Sequence, residues 1–459
     1  MQKIELEQSP KEFFTSLPGL ALVGLCLQHA DALTRLLARL DRGRTFVIPS
    51  RDILTAFIGL LCSGKSDYEA IEDMREDAWF KEALSLRHVP SAVCLRQRLD
   101  DLARCDEADG VAGMAAEGAV GMLRRLRAPV TGYARKRGRL IPLDMDVFVL
   151  DNSGTRKEGV EWTYRKVDGL APIAAYLGFE GWCLGVELRP GSRHAQKGFV
   201  SFLGAALRRA RSLTDELLLV RLDGAHDAAE TFCALHAARG VHYVVRWNPR
   251  GADLGKWLER ALEEGVEESG HRDGVRSWLL ESVEEREFGG ERVRCRRVVR
   301  VTRVELNEHG QGLLVPQIHL EGWWTDLSDP AEEVIRLYRD HGGSEQFHSE
   351  LKTDLDLERL PSKYFGTNAL VLSLGGLAYN VLRLLGRKAL SGGYGPRRAL
   401  VKRRRARTVM QELVCGAARF IRHGRRLLLR FGRHCPRFAA FRHVFDWLWS
   451  MPASEPQGC

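Results

Sequence analysis

The order of apolar segments between Leu140 and Trp247 most constrains the fold of this chain. Five short runs have the composition or alternation of strands: IPLDMDVFVL, APIAAYLG, CLGVELR, ELLLVRL and VHYVVRW. Two amphipathic helical segments, QKGFVSFLGAALRRAR and AAETFCALHAARG, separate the later runs. The order is therefore strand, strand, strand, helix, strand, helix, strand. Because helical connections of this length join parallel neighbours, the sequence predicts an α/β fold with a mixed sheet and crossovers.

The 459 residues are too many for one core, and the character of the sequence changes along the chain. Residues 1–135 carry helical patterns and are predicted to form an N-terminal domain. Residues 136–249 and 327–390 form the predicted α/β core. Alternating segments on either side of Gly289-Gly290, a hairpin signal, predict a β-rich insertion at 250–326. Residues 391–459 are predicted to be helical and basic.

Positive charge is concentrated near the C-terminus. The net charge is +9, and between Val401 and Ala440 twelve Lys and Arg residues face a single acid, Glu412. Such a local surplus favours a polyanionic partner, most simply nucleic acid. The ten cysteines are scattered without zinc-site spacing, and no apolar run reaches eighteen residues. We therefore expect a soluble, cytoplasmic protein without a membrane segment.

Carboxylates stand where an α/β active site would form. Asp146 lies inside the apolar run LIPLDMDVFVL, and Asp223 closes ELLLVRLDG, at the carboxyl end of a predicted strand. A buried aspartate is costly unless it is paired or binds metal. Together with Glu345 on a later helix, these carboxylates suit a site for two metal ions that catalyses phosphoryl transfer. For the first position Asp144 and Asp151 are alternatives, and for the second Asp227 is an alternative.

The helical stretch YRDHGGSEQFHSELKTDLDLERL completes the pattern. It places Tyr338, His341, Glu345 and Lys352 at successive spacings of three, four and seven. The chain thereby resembles DDE-type transposases of bacterial insertion sequences, in the group whose last catalytic helix carries a Tyr-Arg-Glu-Lys signature. Two departures are His341 in the arginine position, for which Arg339 is an alternative, and Phe148 where the group usually has Thr two residues after its first aspartate.

The resemblance implies the rest of the function as expectations. The fold would be an RNase H-like core with a β-rich insertion domain, behind a DNA-binding N-terminal domain. Asp146, Asp223 and Glu345 would hold two Mg²⁺ ions, with Mn²⁺ as a substitute. The DNA partners would be the terminal inverted repeats and the target, and the protein would act as a homodimer on DNA.

Several side chains are candidates for DNA contact. Lys352 would bind a phosphate as a point charge, and Tyr338 and His341 would reach the backbone. One of Trp323 and Trp324, for which we take Trp323, would stack on a flipped base. Loop cations near the first aspartate are further candidates: Arg156, Lys157 and Arg193.

Two alternative functions remain at this stage. The chain could be a DNA-binding relic without activity, which His341 and Phe148 favour, or a stand-alone nuclease that cleaves but does not join strands. The sequence has no GxxxxGK[ST] motif, so an ATP-driven mechanism has no support.

Overall fold

The computed structural model describes residues 4–43, 45–104, 110–270, 272–395, 401, 403–424 and 426–452. A short strand and then helices form the N-terminal region. Ser91 caps α5 by accepting a hydrogen bond from the Cys94 amide at 3.2 Å. The elements are β1 (Phe13–Thr15), α1 (Leu20–Leu27), α2 (Asp31–Leu40), α3 (Ser50–Cys62), α4 (Ala78–Ala83), α5 (Ala92–Ala103) and α6 (Gly110–Arg125).

The main sheet is mixed, as predicted. Its central part has the strand order β8-β7-β3-β9-β10, in which β3, β9 and β10 are parallel and β7 is antiparallel to both of its neighbours. Helices α7 and α8 form the two crossovers between the parallel strands. The elements of this part are β2 (Tyr133–Ala134), β3 (Arg139–Val147), β4 (Leu150–Asp151), β5 (Glu161–Trp162), β6 (Asp168–Leu170), β7 (Ile173–Leu177), β8 (Trp182–Glu187), α7 (Phe199–Arg211), β9 (Leu217–Leu222), α8 (Ala229–Ala237) and β10 (Val241–Arg246).

The segment after β10 extends the same sheet. Three long antiparallel strands follow a helix, and the end of β14 pairs with β10. The hairpin predicted at Gly289-Gly290 is confirmed, and both glycines have positive φ, 61° and 86°, as a tight turn of this kind needs. The sequence interpretation missed the helix. The elements are α9 (Leu254–Glu264), β11 (Val266–Glu267), β12 (Val275–Phe288), β13 (Glu291–Leu306) and β14 (Gly312–Thr325).

The helix that carries the signature spacing is broken. Helix α10 (Ala331–Arg339) ends in a 3₁₀ turn over Asp340–Gly342, and α11 (Gly343–Ser349) continues into a π-helical turn over Glu350–Asp354. The break falls at two adjacent glycines, Gly342 and Gly343. It separates Tyr338 from the segment that carries Glu345.

A long apolar helix, α12 (Phe365–Ser391), packs against β8, α3 and α6. It is long and apolar enough to cross a membrane, but 94% of its most apolar window is buried in the protein, as in the core helix of a soluble protein. Helices α1 and α2 pass the same test only if they are joined across a 76° bend. The composition of α12 is therefore explained by packing.

The C-terminal region is not wholly helical, so that prediction is wrong for residues 418–431. Strands β15 (Ala418–His423) and β16 (Arg426–Phe431) form a hairpin, and β15 also pairs with β1 through Phe13 and Phe420. The run FIRHGRRLLLRF was taken for part of a helix, whereas the structure pairs its two halves as antiparallel strands. Helices α13 (Ala406–Val409) and α14 (Phe438–Ser450) flank the hairpin.

Candidate functional site

The parallel pairing of β3 and β9 brings the two predicted aspartates together. Asp144 is paired in register with Arg221. Continuing this register by two residues sets Asp146 beside Asp223, at the carboxyl ends of adjacent strands. Ligand sites of α/β sheets form at this edge.

The charges of these carboxylates act on one another. The pKa of Asp146 is raised to about 7, first by burial and then by the negative charge of Asp223, with Glu345 adding to the effect. Burial also raises the pKa of Asp223. The amide of Val147 donates a hydrogen bond to Asp146 at 2.8 Å, and that of Ala225 donates one to Asp223 at 3.2 Å. The protein therefore gathers like charges that a cation would stabilise.

Glu345 approaches this pair from α11, and its side chain is exposed. No group of three or more His, Cys, Asp and Glu side chains lies close enough to hold a metal ion within the described ranges. The chemistry of the donor set nevertheless fits a divalent ion, because carboxylate oxygens are the ligands that such hard cations prefer. The raised pKa of Asp146 is the observation that supports this fit.

Asp144 has a different role from its neighbour. Its two oxygens accept hydrogen bonds from Arg221 at 2.6 and 2.7 Å, and the Nδ1 of His341 lies 3.0 Å from Oδ1. Burial alone would raise the pKa of Asp144, but Arg221 and His341 hold it down at about 2. This carboxylate is committed to a buried ion pair, which favours Asp146 as the first ligand.

The other two alternatives are also engaged in structural contacts. Asp151 accepts a hydrogen bond from the Ser153 amide at 2.9 Å in the small sheet that β4, β5 and β6 form. Asp227 forms an ion pair with Arg286 and accepts a hydrogen bond from the Asn248 amide at 2.9 Å, with its side chain 6% exposed. Neither observation favours a metal-binding role.

His341 is buried rather than presented to DNA. Burial lowers the pKa of His341, but the adjacent carboxylate of Asp144 raises it by more than that, so the net shift is upward. Arg221, the ion-pair partner of Asp144, is a residue that the sequence analysis missed. The available signal was an arginine inside the apolar strand run ELLLVRL, two residues before Asp223. Arg339, the other alternative for the signature arginine, is exposed.

Tyr338 and Trp323 lie close together, with ring centroids 6.2 Å apart. Tyr338 is half-buried; burial raises its pKa and the nearby Asp223 and Asp146 add to the rise, so it lies near the site. Trp323 and Trp324 are both completely buried. Stacking on a base needs an exposed ring face, so this packing gives no support to the base-stacking role of Trp323, which stays a prediction.

The remaining cation candidates are mostly tied to the protein itself. Lys352 donates a hydrogen bond to the Val149 carbonyl at 2.8 Å and lies 3.0 Å from Glu358. Lys157 donates to Asn152 at 2.9 Å, and burial lowers its pKa. Arg193 donates to the Lys197 carbonyl at 3.0 Å. Arg156 is exposed, and it stays the candidate of this loop most accessible to DNA.

His348 and Tyr164 were also missed by the sequence analysis. The Nδ1 of His348 lies 4.0 Å from Asp146, and its ring stacks on Phe148 at 4.4 Å. Burial lowers the pKa of His348 to about 3, so the imidazole is neutral. Tyr164 donates a hydrogen bond to the Val147 carbonyl at 3.0 Å, and its pKa is raised by burial and then by Asp146. Phe148 thus packs one wall of the site.

We expect Asp146→Asn to stabilise the metal-free protein, and to do so more at pH 8 than at pH 5. The carboxyl has a pKa of about 7 in the folded protein and about 3.9 in an unfolded chain. The folded state therefore binds more protons in this window, and its stability falls as the pH rises from about 4 to 7. Asparagine has no carboxyl group to titrate, so the variant does not lose stability in this way as the pH rises. Melting temperatures in EDTA at several pH values test the prediction, and a difference that does not change with pH would contradict it.

Comparison with known proteins completes the description of the site. The family model described as Transposase DDE domain group 1 matches residues 14–453. No curated protein matches the chain. Among solved structures, the piggyBac transposase synaptic complex with hairpin DNA, determined by cryo-EM, has a TM-score of 0.42 and 10% identity, covering 97% of this chain and 87% of that chain. This structural similarity is too low to support a functional conclusion. The family model, however, spans nearly the whole chain, and the protein therefore belongs to the transposase DDE domain group 1 family.

Proposed function

We propose that this DNA transposase belongs to a bacterial insertion sequence, cleaves DNA at the terminal inverted repeats of its element and joins the 3′-hydroxyl ends to target DNA. Asp146, Asp223 and Glu345 are the proposed catalytic carboxylates. Transposase DDE domains generally use divalent metal ions. Here we propose two Mg²⁺ ions, for which Mn²⁺ could substitute in vitro. The family is normally soluble, and we propose a cytoplasmic location.

The observation that carries the proposal is the pairing of β3 with β9. It sets Asp146 and Asp223 side by side at the carboxyl edge of the sheet. The negative charge of Glu345 is near enough to contribute to the raised pKa of Asp146. Divalent ions bound there would activate water and stabilise the leaving oxygen. The three carboxylates would fix the positions of these ions, because carboxylates alone would repel a phosphodiester. The first attack on the phosphorus would be by water, and the later one by the freed 3′-hydroxyl. Asp144, Arg221 and His341 would keep β3 and the 3₁₀ turn before α11 in place.

The domain boundaries that we propose follow from this function. Residues 136–249 and 327–390 would be an RNase H-like core. The five central strands lie in the spatial order β8-β7-β3-β9-β10, which is 3-2-1-4-5 when they are counted along the chain from β3. The second of them along the chain, β7, is antiparallel to its neighbours. Residues 250–326 would be an insertion that extends the core sheet. Residues 1–135 would contact DNA, and 391–459 would form the C-terminal region. A homodimer would bring two element ends together.

The inactive-relic alternative loses its two supporting observations. His341 in place of arginine has a structural partner in Asp144, which also has Arg221 as a guanidinium partner. Phe148 in place of threonine stacks on His348. Both departures are thus accommodated by neighbouring residues, and the two strand-end aspartates are kept.

Cleavage of a labelled duplex that carries the element end tests the proposal. With Mg²⁺ we expect strand cleavage by the wild type and its loss in Glu345→Gln, with DNA binding retained. Glu332→Gln is the matched control, because Glu332 is an exposed glutamate on the preceding helix α10. Tight binding without cleavage by the wild type would favour the relic. Cleavage without joining to a target duplex would favour the nuclease.

A further inference from the structure

A cavity of about 550 Å³ lies where the α10–α11 junction, α12 and the C-terminal segment meet the edge of the core. Its volume is within the range of about 300–1,000 Å³ that is usual for small-ligand sites. No candidate residue of the sequence analysis lines it. Its lining includes Tyr133, Phe179, Asp340, Arg383, Arg387 and Arg403.

One wall of the cavity carries a buried excess of positive charge. Arg383 and Arg403 share a single carboxylate, that of Glu350, each at 2.9 Å. The side chains of Arg383 and Glu350 are only 3% and 2% exposed. Burial and the neighbouring Arg383 both lower the pKa of Arg403. The Arg403 side chain is 20% exposed. The cavity lining has four arginines against two acids, Glu180 and Asp340, and Glu180 lies 4.0 Å from Arg387. An anion in the cavity would stabilise the remaining positive charge.

Two arginines of the cavity, Arg383 and Arg404, have unused donors. The Nε and Nη1 atoms of Arg383 and the Nε of Arg404 are buried without a hydrogen-bond partner among the described residues. Buried donors of this kind are costly unless a ligand or water satisfies them. Planar guanidinium forks match the oxygens of a phosphate group. The wall therefore suits a phosphate better than a neutral ligand.

The cavity lining also contains two aromatic residues, Tyr133 and Phe179. Phe179 and Tyr133 pack edge to face with ring centroids 4.9 Å apart, and the Phe179 side chain is 48% exposed at the cavity. An exposed aromatic ring beside phosphate-binding groups is the arrangement on which nucleic-acid bases stack. A free phosphate ion would leave this face unused.

The cavity is connected to the catalytic segment by direct contacts. Asp340, which lines it, precedes His341 in sequence and accepts a hydrogen bond from Tyr133 at 2.8 Å. Arg403 donates a hydrogen bond to Gln346, which follows Glu345. A strand that enters the cavity would therefore run next to the segment that carries the third catalytic carboxylate.

We infer that this cavity binds one nucleotide of a single DNA strand, with its phosphate against Arg383, Arg387 and Arg403 and its base against Phe179. The inference rests on the proposed function, because only a protein that acts on DNA would bring a DNA strand to this cavity. It places an unpaired nucleotide beside the active site, in a role distinct from that of the carboxylates. It also gives the C-terminal arginines a specific contact in place of general attraction to the DNA backbone.

Binding of a fluorescent single-stranded oligonucleotide to the full-length protein, in EDTA and over a range of salt concentrations, tests the inference. We expect Arg387→Gln to weaken binding about tenfold and to lower the slope of log K against log salt by about 0.7, the loss of one phosphate contact. We expect Phe179→Ala to weaken binding about tenfold without changing that slope. Arg387 and Phe179 are chosen because they are partly exposed, so the fold tolerates the change.

Arg239→Gln is the matched control. Arg239 is exposed, precedes β10 and is not among the residues that line the cavity. The inference is overturned if Arg387→Gln keeps the wild-type slope or if Phe179→Ala binds as tightly as the wild type. If Arg387→Gln loses binding but Phe179→Ala does not, and inorganic phosphate competes with the oligonucleotide at equal strength in both, the cavity is a simple anion site and the inference fails. Because no step needs metal or cleavage, a failure here leaves the cleavage result untouched, and the reverse also holds.

Discussion

Asp146→Asn and Asp223→Asn should each reduce strand cleavage at least about a thousandfold while leaving DNA binding and folding intact. Asparagine keeps the shape of the side chain but removes the negative charge that would hold a divalent ion between the two strands. A thousandfold loss corresponds to about 4 kcal/mol of transition-state stabilisation, which is within the contribution expected of a metal site. Single-turnover cleavage of the element-end duplex with Mg²⁺ measures the effect.

The matched control for this prediction is Asp151→Asn. Asp151 lies close in sequence, but its carboxylate caps a turn at Ser153 in the small sheet. Cleavage by this variant should stay within a few-fold of the wild type. Should Asp151→Asn lose cleavage while Asp146→Asn retains it, the first ligand would be wrongly assigned, although the pairing of strands would stand.

The sheet and the positions of the two aspartates could be predicted from sequence because both depend on local patterns. Each strand is a short apolar run, and the helical segments between the later runs require crossovers that make β3, β9 and β10 parallel. Once β3 and β9 are neighbours, the aspartates near their ends must meet. The break at Gly342-Gly343 is equally local, since it depends on two adjacent glycines.

The partners of the buried charges could not be predicted, because they are distant in sequence. Asp144 pairs with Arg221, 77 residues later, and nothing in either strand identifies the other as its partner. Burial of Trp323 and Trp324 likewise depends on how β14 packs against α8 and α10, so the sequence alone left one ring available for a base.

The partners of the arginines in the basic C-terminal run could not be predicted from the sequence either. Counted alone, its arginines suggested a surface for the DNA backbone. In the structure Arg403 pairs with Glu350, Arg404 with Glu412 and Arg405 with Asp354. Much of the charge is therefore used to fix this segment against the end of the catalytic helix.

Asp144→Asn should destabilise the fold by about 3–5 kcal/mol, more than any of the catalytic substitutions, because it leaves the buried guanidinium of Arg221 without a countercharge. The pKa of Asp144 is about 2 in the folded protein and about 3.9 when unfolded, so its contribution is present above pH 4 and is lost as the pH falls towards 2. Urea unfolding at pH 7 measures the loss. The double variant Asp144→Leu/Arg221→Met removes both charges and should recover much of the stability, because the strands then pair through apolar side chains of similar size. The ion pair would not be what holds β3 and β9 together if Asp144→Asn lowered the free energy of unfolding by less than about 1 kcal/mol. The same conclusion would follow if the double variant were less stable than the single one.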